Sequence, residues 1–591
     1  MTADPSPASS GHSGGRYAGV PRTGGPGAAV PPHTTSPHQK VTAMNAKNDR
    51  AELAADQALG VGNVLTALIE RGDGLDLPTL TFDTEVDGHP AWQPFTLSGL
   101  GERVAARAAA LHALGVRPRD PVAVFVTDAA DQVLSYLALV RLGAIPALVN
   151  GRLAGDPASR YIQRLRAVGI LADPAHRALL DGYDPGAPLL ADAADLGAGD
   201  PAAAPRPYRH HGNEPVVITH SSGTTGLPKA VAHSHHSLFA SVRHRLRLPK
   251  PQGLDRMLNA LPAAHVATVI AVNLALANRV QLAVVSDPGA PAVLDAIESW
   301  QPECVLGFSA TWSELAGHDL SARSLDSVRS WWNTGDCAHE AHIRKLIAVG
   351  RREVLAVGGR RWQPGSHFVD GLGSTEMGHS QFFITHTPDT AHYGRCIGKP
   401  HAFSDVAVLG PDNQKLGPGE IGQLGINAPT LSLGYWNDSV TTYRTRRDGY
   451  FLTGDLVYRD QAGFYFHVDR AVDAVDLGDG RTLYTALSEE QVLAGCPDVL
   501  ECTVVAVADQ GRVTSSVLLT LDPAADPRAD RTAEVLALLD EHVAATVTQV
   551  VVVDPALIPL GPTGKVRKTL LRESFRNDSE AFAGTAAVGA I

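Results

Sequence analysis

Nine consecutive residues, Ser221-Ser222-Gly223-Thr224-Thr225-Gly226-Leu227-Pro228-Lys229, gather two glycines, four hydroxyls and a lysine. Glycines let backbone amides approach an anion closely, successive amides in a turn form an anion nest, and hydroxyls and a lysine add donors. This is the chemistry of a phosphate loop. It is not a Walker A loop, because Pro228 lies between the second glycine and Lys229. Taken alone, the same composition also suits a plain surface turn. Two other clusters suggest metal chemistry. His233, His235 and His236 lie on one loop-to-helix segment without carboxylate or cysteine partners, which makes a poor cage. His339-Glu340-Ala341-His342 is one residue short of the spacing that puts two histidines on one helical face, and it reads as a solvated helix start.

The elements that must position the loop are legible around it. Residues 216–219 form a short apolar run that reads as a buried strand feeding the loop. Upstream, 100–114 and 132–142 carry helical spacing, whereas 121–126 and 144–149 read as strands. This alternation implies βαβ units and largely parallel sheet. Residues 198–207, rich in Ala and Pro, read as a loop. Downstream, 504–508, 516–521 and 550–553 read as strands and 532–545 as a helix, making a smaller α+β unit. The apolar stretch 258–285 is interrupted by Asn259, His265, Asn273, Asn278 and Arg279, so it reads as α/β core rather than a membrane span. A chain of 591 residues implies more than one domain. Its net charge of -12 argues against a nucleic-acid partner, which needs a basic face. Five scattered cysteines without a Cys-x-x-Cys pair suggest a reducing, cytoplasmic setting and no structural zinc. Residues 1–45 are too poor in large apolar groups to offset the entropy of ordering and read as a disordered extension. Met44, which opens a more ordinary sequence, is a candidate natural start.

The string ending Thr-Gly-x-Pro-Lys resembles the signature loop of the adenylate-forming superfamily, which includes acyl-CoA synthetases, carrier-protein adenylation domains and luciferases. Further motifs follow in that family's order. Asp370-Gly371-Leu372-Gly373-Ser374-Thr375-Glu376 resembles its aromatic-Gly-x-Thr-Glu pattern, with Leu372 where an aromatic often stacks on adenine. By this resemblance Gly373, Ser374 and Thr375 contact the nucleotide and Glu376 is the Mg2+ ligand, a hard carboxylate for a hard cation. Tyr450-Phe451-Leu452-Thr453-Gly454-Asp455 resembles the Thr-Gly-Asp motif whose aspartate accepts from the ribose hydroxyls, and Arg470 matches the ribose/phosphate arginine before the hinge. Leu261-Pro262-Ala263-Ala264-His265 resembles the motif that places a His or aromatic in the acyl pocket. Asn333-Thr334-Gly335-Asp336-Cys337-Ala338 resembles the Gly-rich turn at the adenine, which usually has small residues where Asp336 sits. Whether Asp336 faces adenine, substrate or solvent is open. Pro559 to Lys568 resembles the C-terminal Pro-x4-Gly-Lys motif and makes Lys565 the catalytic cation.

The resemblance implies an α/β fold: a large N-terminal adenylate-forming domain with parallel-rich sheets, 46–469, and a small mobile C-terminal α+β domain, 470–577, ahead of a flexible tail, 578–591. It also implies the chemistry. An oxyanion attacks the α-phosphorus of MgATP, pyrophosphate leaves, and the adenylate passes to an acceptor. The usual acceptor is a thiol, here CoA, with a small-molecule carboxylate as substrate, in secondary metabolism. The chain departs from the family between Asp473 and Gly480. Asp476 replaces the usual lysine there, and Val472 or Asp473 takes the hinge position. That departure keeps open a carrier-protein thiol, or nitrite activated for attack by an amine to form a diazo group. A degenerate nucleotide-binding protein is the reading from another class, and intact Lys229, Thr375, Glu376, Asp455 and Lys565 speak against it.

Overall fold

Two sheets, each with a run of parallel strands, make up most of the large domain. In the computed structural model, residues 49–221, 227–250, 254–357, 359–478, 480–509, 511–561 and 564–577 are described. They therefore do not include the 1–45 extension, the tail after 577, or loop residues Ser222, Gly223, Thr224, Thr225 and Gly226. The elements below belong to one unit that begins at Arg50.

The first sheet has seven strands. Pro215–His220, Ile145–Val149, Pro121–Phe125, Gly169–Ala172 and Leu189–Asp192 run parallel, and Ala230–Ser234 and Gly434–Tyr435 add antiparallel edges. The expected strands and helices are present with ends shifted by a few residues; the helix expected over 132–142 starts earlier, at Ala129. Asp128 caps that helix by accepting from the Asp131 amide, and Gly143, at φ +79°, ends it. It is buried almost all round, which explains why its sequence is apolar without a polar stripe.

The second sheet has 13 strands and changes character halfway. Six parallel strands run from Leu80–Phe82 through Gln281–Val284, Arg256–Asn259, Cys304–Phe308 and Ser330–Thr334 to His367–Asp370. Antiparallel strands follow, including Phe382–His386, Tyr465–Arg470 and Tyr450–Arg459. The apolar stretch 258–285 is two of these strands and the helix Val266–Asn278, and no helix among the described residues is long and apolar enough to cross a membrane.

The smaller C-terminal domain packs the helix Thr485–Gly495 and the sheet Val499–Asp509, Arg512–Leu521, Val547–Val552 around its own core. The single helix expected over 532–545 is two short ones, Thr532–Leu538 and Glu541–Ala544. Leu539 between them turns extended (φ −85°, ψ 150°), and its side chain is buried in that core. The loop expected over 198–207 contains a 3-10 turn, Pro201–Ala203.

Candidate functional site

A cavity of about 910 Å³ opens between the large domain and the C-terminal domain. It is lined by residues from each sequence motif: Ser221, Lys229, Thr375, Glu376, Asp455 and Lys565. The phosphate loop joins two neighbouring antiparallel strands, Pro215–His220 and Ala230–Ser234. A hydrogen bond from the Ser221 amide to the Lys229 carbonyl, 3.1 Å, closes its base.

Lys229 Nζ stands 5.2 Å from the ring centroid of Tyr435, and the Tyr435 hydroxyl donates to Glu376 Oε1 at 3.0 Å. Tyr435 therefore bridges the loop lysine and the acidic motif. It is the functional neighbour that sequence reasoning missed, although Gly434-Tyr435 is a signal: the pair forms a strand on the loop's own sheet. Thr375 is buried, and its hydroxyl donates to the His220 carbonyl at 3.4 Å, just ahead of the loop. Gly373 permits the tight turn around these residues: a Cβ there would lie 2.8 Å from Ser380 Cα. Leu372 packs into the core beside Met377 and Phe382. The donor set fits Mg2+: the Glu376 carboxylate lines the cavity beside Lys229 and Tyr435, and this ion is ordinarily held by one or two carboxylates together with substrate phosphates and water.

Asp455 lies within the ten-residue strand Tyr450–Arg459, not at a strand end as its sequence suggests, and pairs in register with Arg470. Its carboxylate is 3.1 Å from Arg470 Nε and 3.6 Å from His467 Nε2. Burial alone would raise its pKa, but Arg470 and His467 outweigh burial and hold it below the ordinary value.

Lys565 enters from the C-terminal domain. Its Nζ donates to the Gly335 carbonyl at 2.8 Å and lies 3.2 Å from Asp336 Oδ2. Gly335, at φ +88°, turns the chain so that its carbonyl and the Asp336 carboxylate meet the same cation. Asp336 also lies 3.9 Å from buried Arg395, which in turn donates to His467 Nδ1 at 2.8 Å. Burial opposes ionisation of Asp336, but Lys565, His467 and Arg395 together hold its pKa well below the usual carboxylate range. A chain of polar contacts thus runs from Lys565 through Asp336, Arg395 and His467 to Asp455. Asp336 lines the cavity beside Lys565.

His265 caps the helix Val266–Asn278, its Nδ1 accepting from the Ala267 amide at 3.2 Å, and its ring packs edge-on against Phe308. Burial, with lesser contributions from His220, Lys565 and His233, pushes its pKa down to about 3. The ring is neutral and carries its proton on Nε2.

Two histidine readings are corrected. His233 lies not on a loop but on the strand Ala230–Ser234, buried and 3.1 Å from Thr219 Oγ1. His339 and His342 do begin a helix, Glu340–Ile347, but they are not solvated. His339 Nδ1 meets Glu490 at 2.5 Å and His342 Nε2 donates to the Leu500 carbonyl at 2.8 Å, so both dock the C-terminal domain. The partners lie some 150 residues downstream, beyond the reach of local pattern.

Ser221 and Lys229 at the two ends of the loop, Asp455 and Lys565 thus line one cavity, with Lys565 supplied by the C-terminal domain. The chain belongs to the family of AMP-binding enzymes, whose model matches residues 78–436, and is an AMP-forming ligase of the adenylate-forming superfamily. It is 40% identical over 554 residues to a 3-aminoavenalumate diazotase from Streptomyces sp, covering 90% of this chain and 99% of that protein. It is 29% identical over 488 residues to a feruloyl-CoA synthase from Amycolatopsis sp, covering 81% and 94%. The fold is also that of an anthranilate CoA ligase solved with anthranoyl-AMP, at TM-score 0.74 and 20% identity, covering 88% of this chain and 98% of that one.

Proposed function

We propose that this enzyme adenylates nitrite and passes the nitrosyl group to an aromatic amine, giving a diazonium product. The observation that carries this reading is the Asp336 carboxylate, 3.2 Å from the catalytic lysine candidate. A carboxylate substrate offers this acceptor no donor of its own. An amine instead brings N–H donors, and an ionised carboxylate is their natural acceptor. Nitrite, a small oxyanion, needs only Lys565 and the nucleotide beside it. The 40% identity to a diazotase over nine-tenths of the chain supports the same choice.

A nitrite oxygen attacks the α-phosphorus of ATP, the bond to the β-phosphate oxygen breaks, and pyrophosphate leaves. Lys565 stabilises charge shared between the attacking oxygen and the α-phosphate. Lys229, Ser221 and Thr375 hold phosphates, with the loop residues between, and Asp455 with Arg470 fixes the ribose. Glu376 would hold Mg2+, which would supply positive charge to offset that developing on the phosphates. The amine, oriented by Asp336, then attacks the nitrosyl nitrogen and AMP departs with the oxygen that linked them. The nitrogen loses a proton to give an N-nitrosamine, which is protonated and loses water to leave the diazonium ion. No external oxidant or reductant is needed, because the two nitrogens exchange electrons with each other. The domain boundary belongs to the same proposal: the last strand of the large sheet ends at Arg470, and the next hairpin, Val475–Gly478 with Arg481–Leu483, packs with the C-terminal core.

The test is pyrophosphate release from MgATP across aryl amines with nitrite, beside aryl and fatty acids with CoA. Diazonium is trapped as an azo dye with a naphthol. Release requiring both nitrite and amine, with dye formed, is the expected result. Nitrite-independent release with a CoA thioester product would overturn the proposal in favour of an acid–thiol ligase.

A further inference from the structure

Two nitrogen groups approach Asp455 at one oxygen. Arg470 Nε stands 3.1 Å from Oδ1 and His467 Nε2 stands 3.6 Å from the same atom, and among the described residues no hydrogen bond reaches Oδ2. The second group depends on a residue from another segment. Arg395 Nη2 donates to His467 Nδ1 at 2.8 Å, and Arg395 Nε donates to the His467 carbonyl at 3.3 Å. The His467 amide in turn donates to the Arg395 carbonyl at 3.0 Å. A guanidinium has no acceptor and stays protonated in proteins, so His467 Nδ1 must accept. The ring proton is therefore on Nε2, the nitrogen that faces Asp455. In the other tautomer a lone pair would face the carboxylate.

The position singles out this side chain. Arg395 is buried, and its backbone is left-handed at φ +62°, directly after Gly394 at φ +67°. Residues other than glycine use that conformation sparingly, so the turn alone gives no reason for an arginine. Arg395 lies just ahead of the strand Cys396–Pro400, which pairs with the strand Tyr465–Arg470 that carries His467. Burial disfavours its charge, but Asp336 of the large domain and Glu490 and Glu489 of the C-terminal domain help to offset burial. Its Nη2 is 3.9 Å from Asp336 Oδ1, at the reacting corner where Asp336 meets Lys565. A lysine would supply the same charge, but a planar fork can meet a ring nitrogen and a carbonyl together.

Resting on the assignment of the ribose to Asp455, we infer that Arg395 is a positioning residue for the nucleotide. It fixes His467 with Nε2–H toward Asp455 Oδ1. The carboxylate is held through that oxygen, and Oδ2 is left to accept from the ribose hydroxyls. Arg395 acts on the ribose through His467.

The probes are ATP and 2′-deoxy-ATP with Mg2+, bound at equilibrium to the whole protein without nitrite or amine. The wild type should hold ATP roughly 10- to 100-fold tighter, the worth of a hydrogen bond to a charged group. Arg395→Met should collapse most of that preference, with ATP weakened and 2′-deoxy-ATP changed less, and Arg395→Lys should keep part of it. Arg395→Met leaves buried carboxylates without their cation, so His467→Phe carries the test if that variant does not fold. It should show the same collapse, and adding Arg395→Lys to it should remove no further preference. A preference that persists in His467→Phe, or a further loss in the double variant, would overturn the inference. So would equal weakening of both nucleotides in Arg395→Met with the preference intact, which is what a merely structural role predicts. Equal binding of the two nucleotides by the wild type would remove the ribose role of Asp455 itself, and the inference with it.

Discussion

Replacing Lys565 with alanine removes the one group that the C-terminal domain places at Gly335 and Asp336. Its Nζ has two oxygen partners, the Gly335 carbonyl at 2.8 Å and Asp336 Oδ2 at 3.2 Å. A preorganised donor aimed at transition-state charge is worth about 2.7–4 kcal/mol, so adenylation should slow by roughly 100- to 1000-fold. Nucleotide affinity should change far less, because Lys229, Glu376 and Asp455 all belong to the large domain. The assay is pyrophosphate release in single turnover, with ATP affinity measured separately by equilibrium binding. Asp336→Ala and the double variant complete a cycle. If Asp336 acts on adenylation through Lys565, the double variant should be no slower than Lys565→Ala alone. Adenylation within a few-fold of wild type in Lys565→Ala, or strictly additive losses in the cycle, would refute the assignment.

Docking of the C-terminal domain should depend on pH through His339 and Glu490. Burial lowers the His339 pKa, but the Glu490 carboxylate 2.5 Å away outweighs burial and raises it above its ordinary value. The contact is therefore fully present below the ordinary histidine value and should fade as pH rises through the raised one. Glu490, with a depressed pKa, keeps its charge well into acid. Limited proteolysis across this range should show protection lost on the alkaline side in wild type and pH-independent cleavage in Glu490→Gln. In the large domain, Asp131→Ala should cost about 3–5 kcal/mol in urea unfolding, because it strips a counter-ion from fully buried Arg107. A loss below about 1 kcal/mol would show that Asp87 alone suffices for that charge.

Local pattern revealed what is local. The strand feeding the phosphate loop, the Thr375–Glu376 turn and the Asp455 motif were legible because each is a contiguous string whose chemistry and backbone preference coincide. The rest depends on contacts between distant segments. Asp336 meets a lysine 229 residues away, and Tyr435 meets Glu376 across 59. His339 and His342 look like an exposed helix start because the domain that covers them comes later in the chain. Arg395 meets His467 across 72 residues, and nothing in the run Gly394-Arg395-Cys396 sets that arginine apart.

The strand Ser330–Thr334 has a consequence for how such an enzyme changes over generations. Just past its downstream end, at Gly335, the chain meets Lys565, while Trp332 in its middle lines the same cavity beside Arg245. Substitutions around the middle can alter which molecule is accepted without disturbing the machinery that activates it. Ancestry can therefore preserve the reaction while the diet shifts, and relatives that share the reacting corner should diverge first around Arg245 and Trp332.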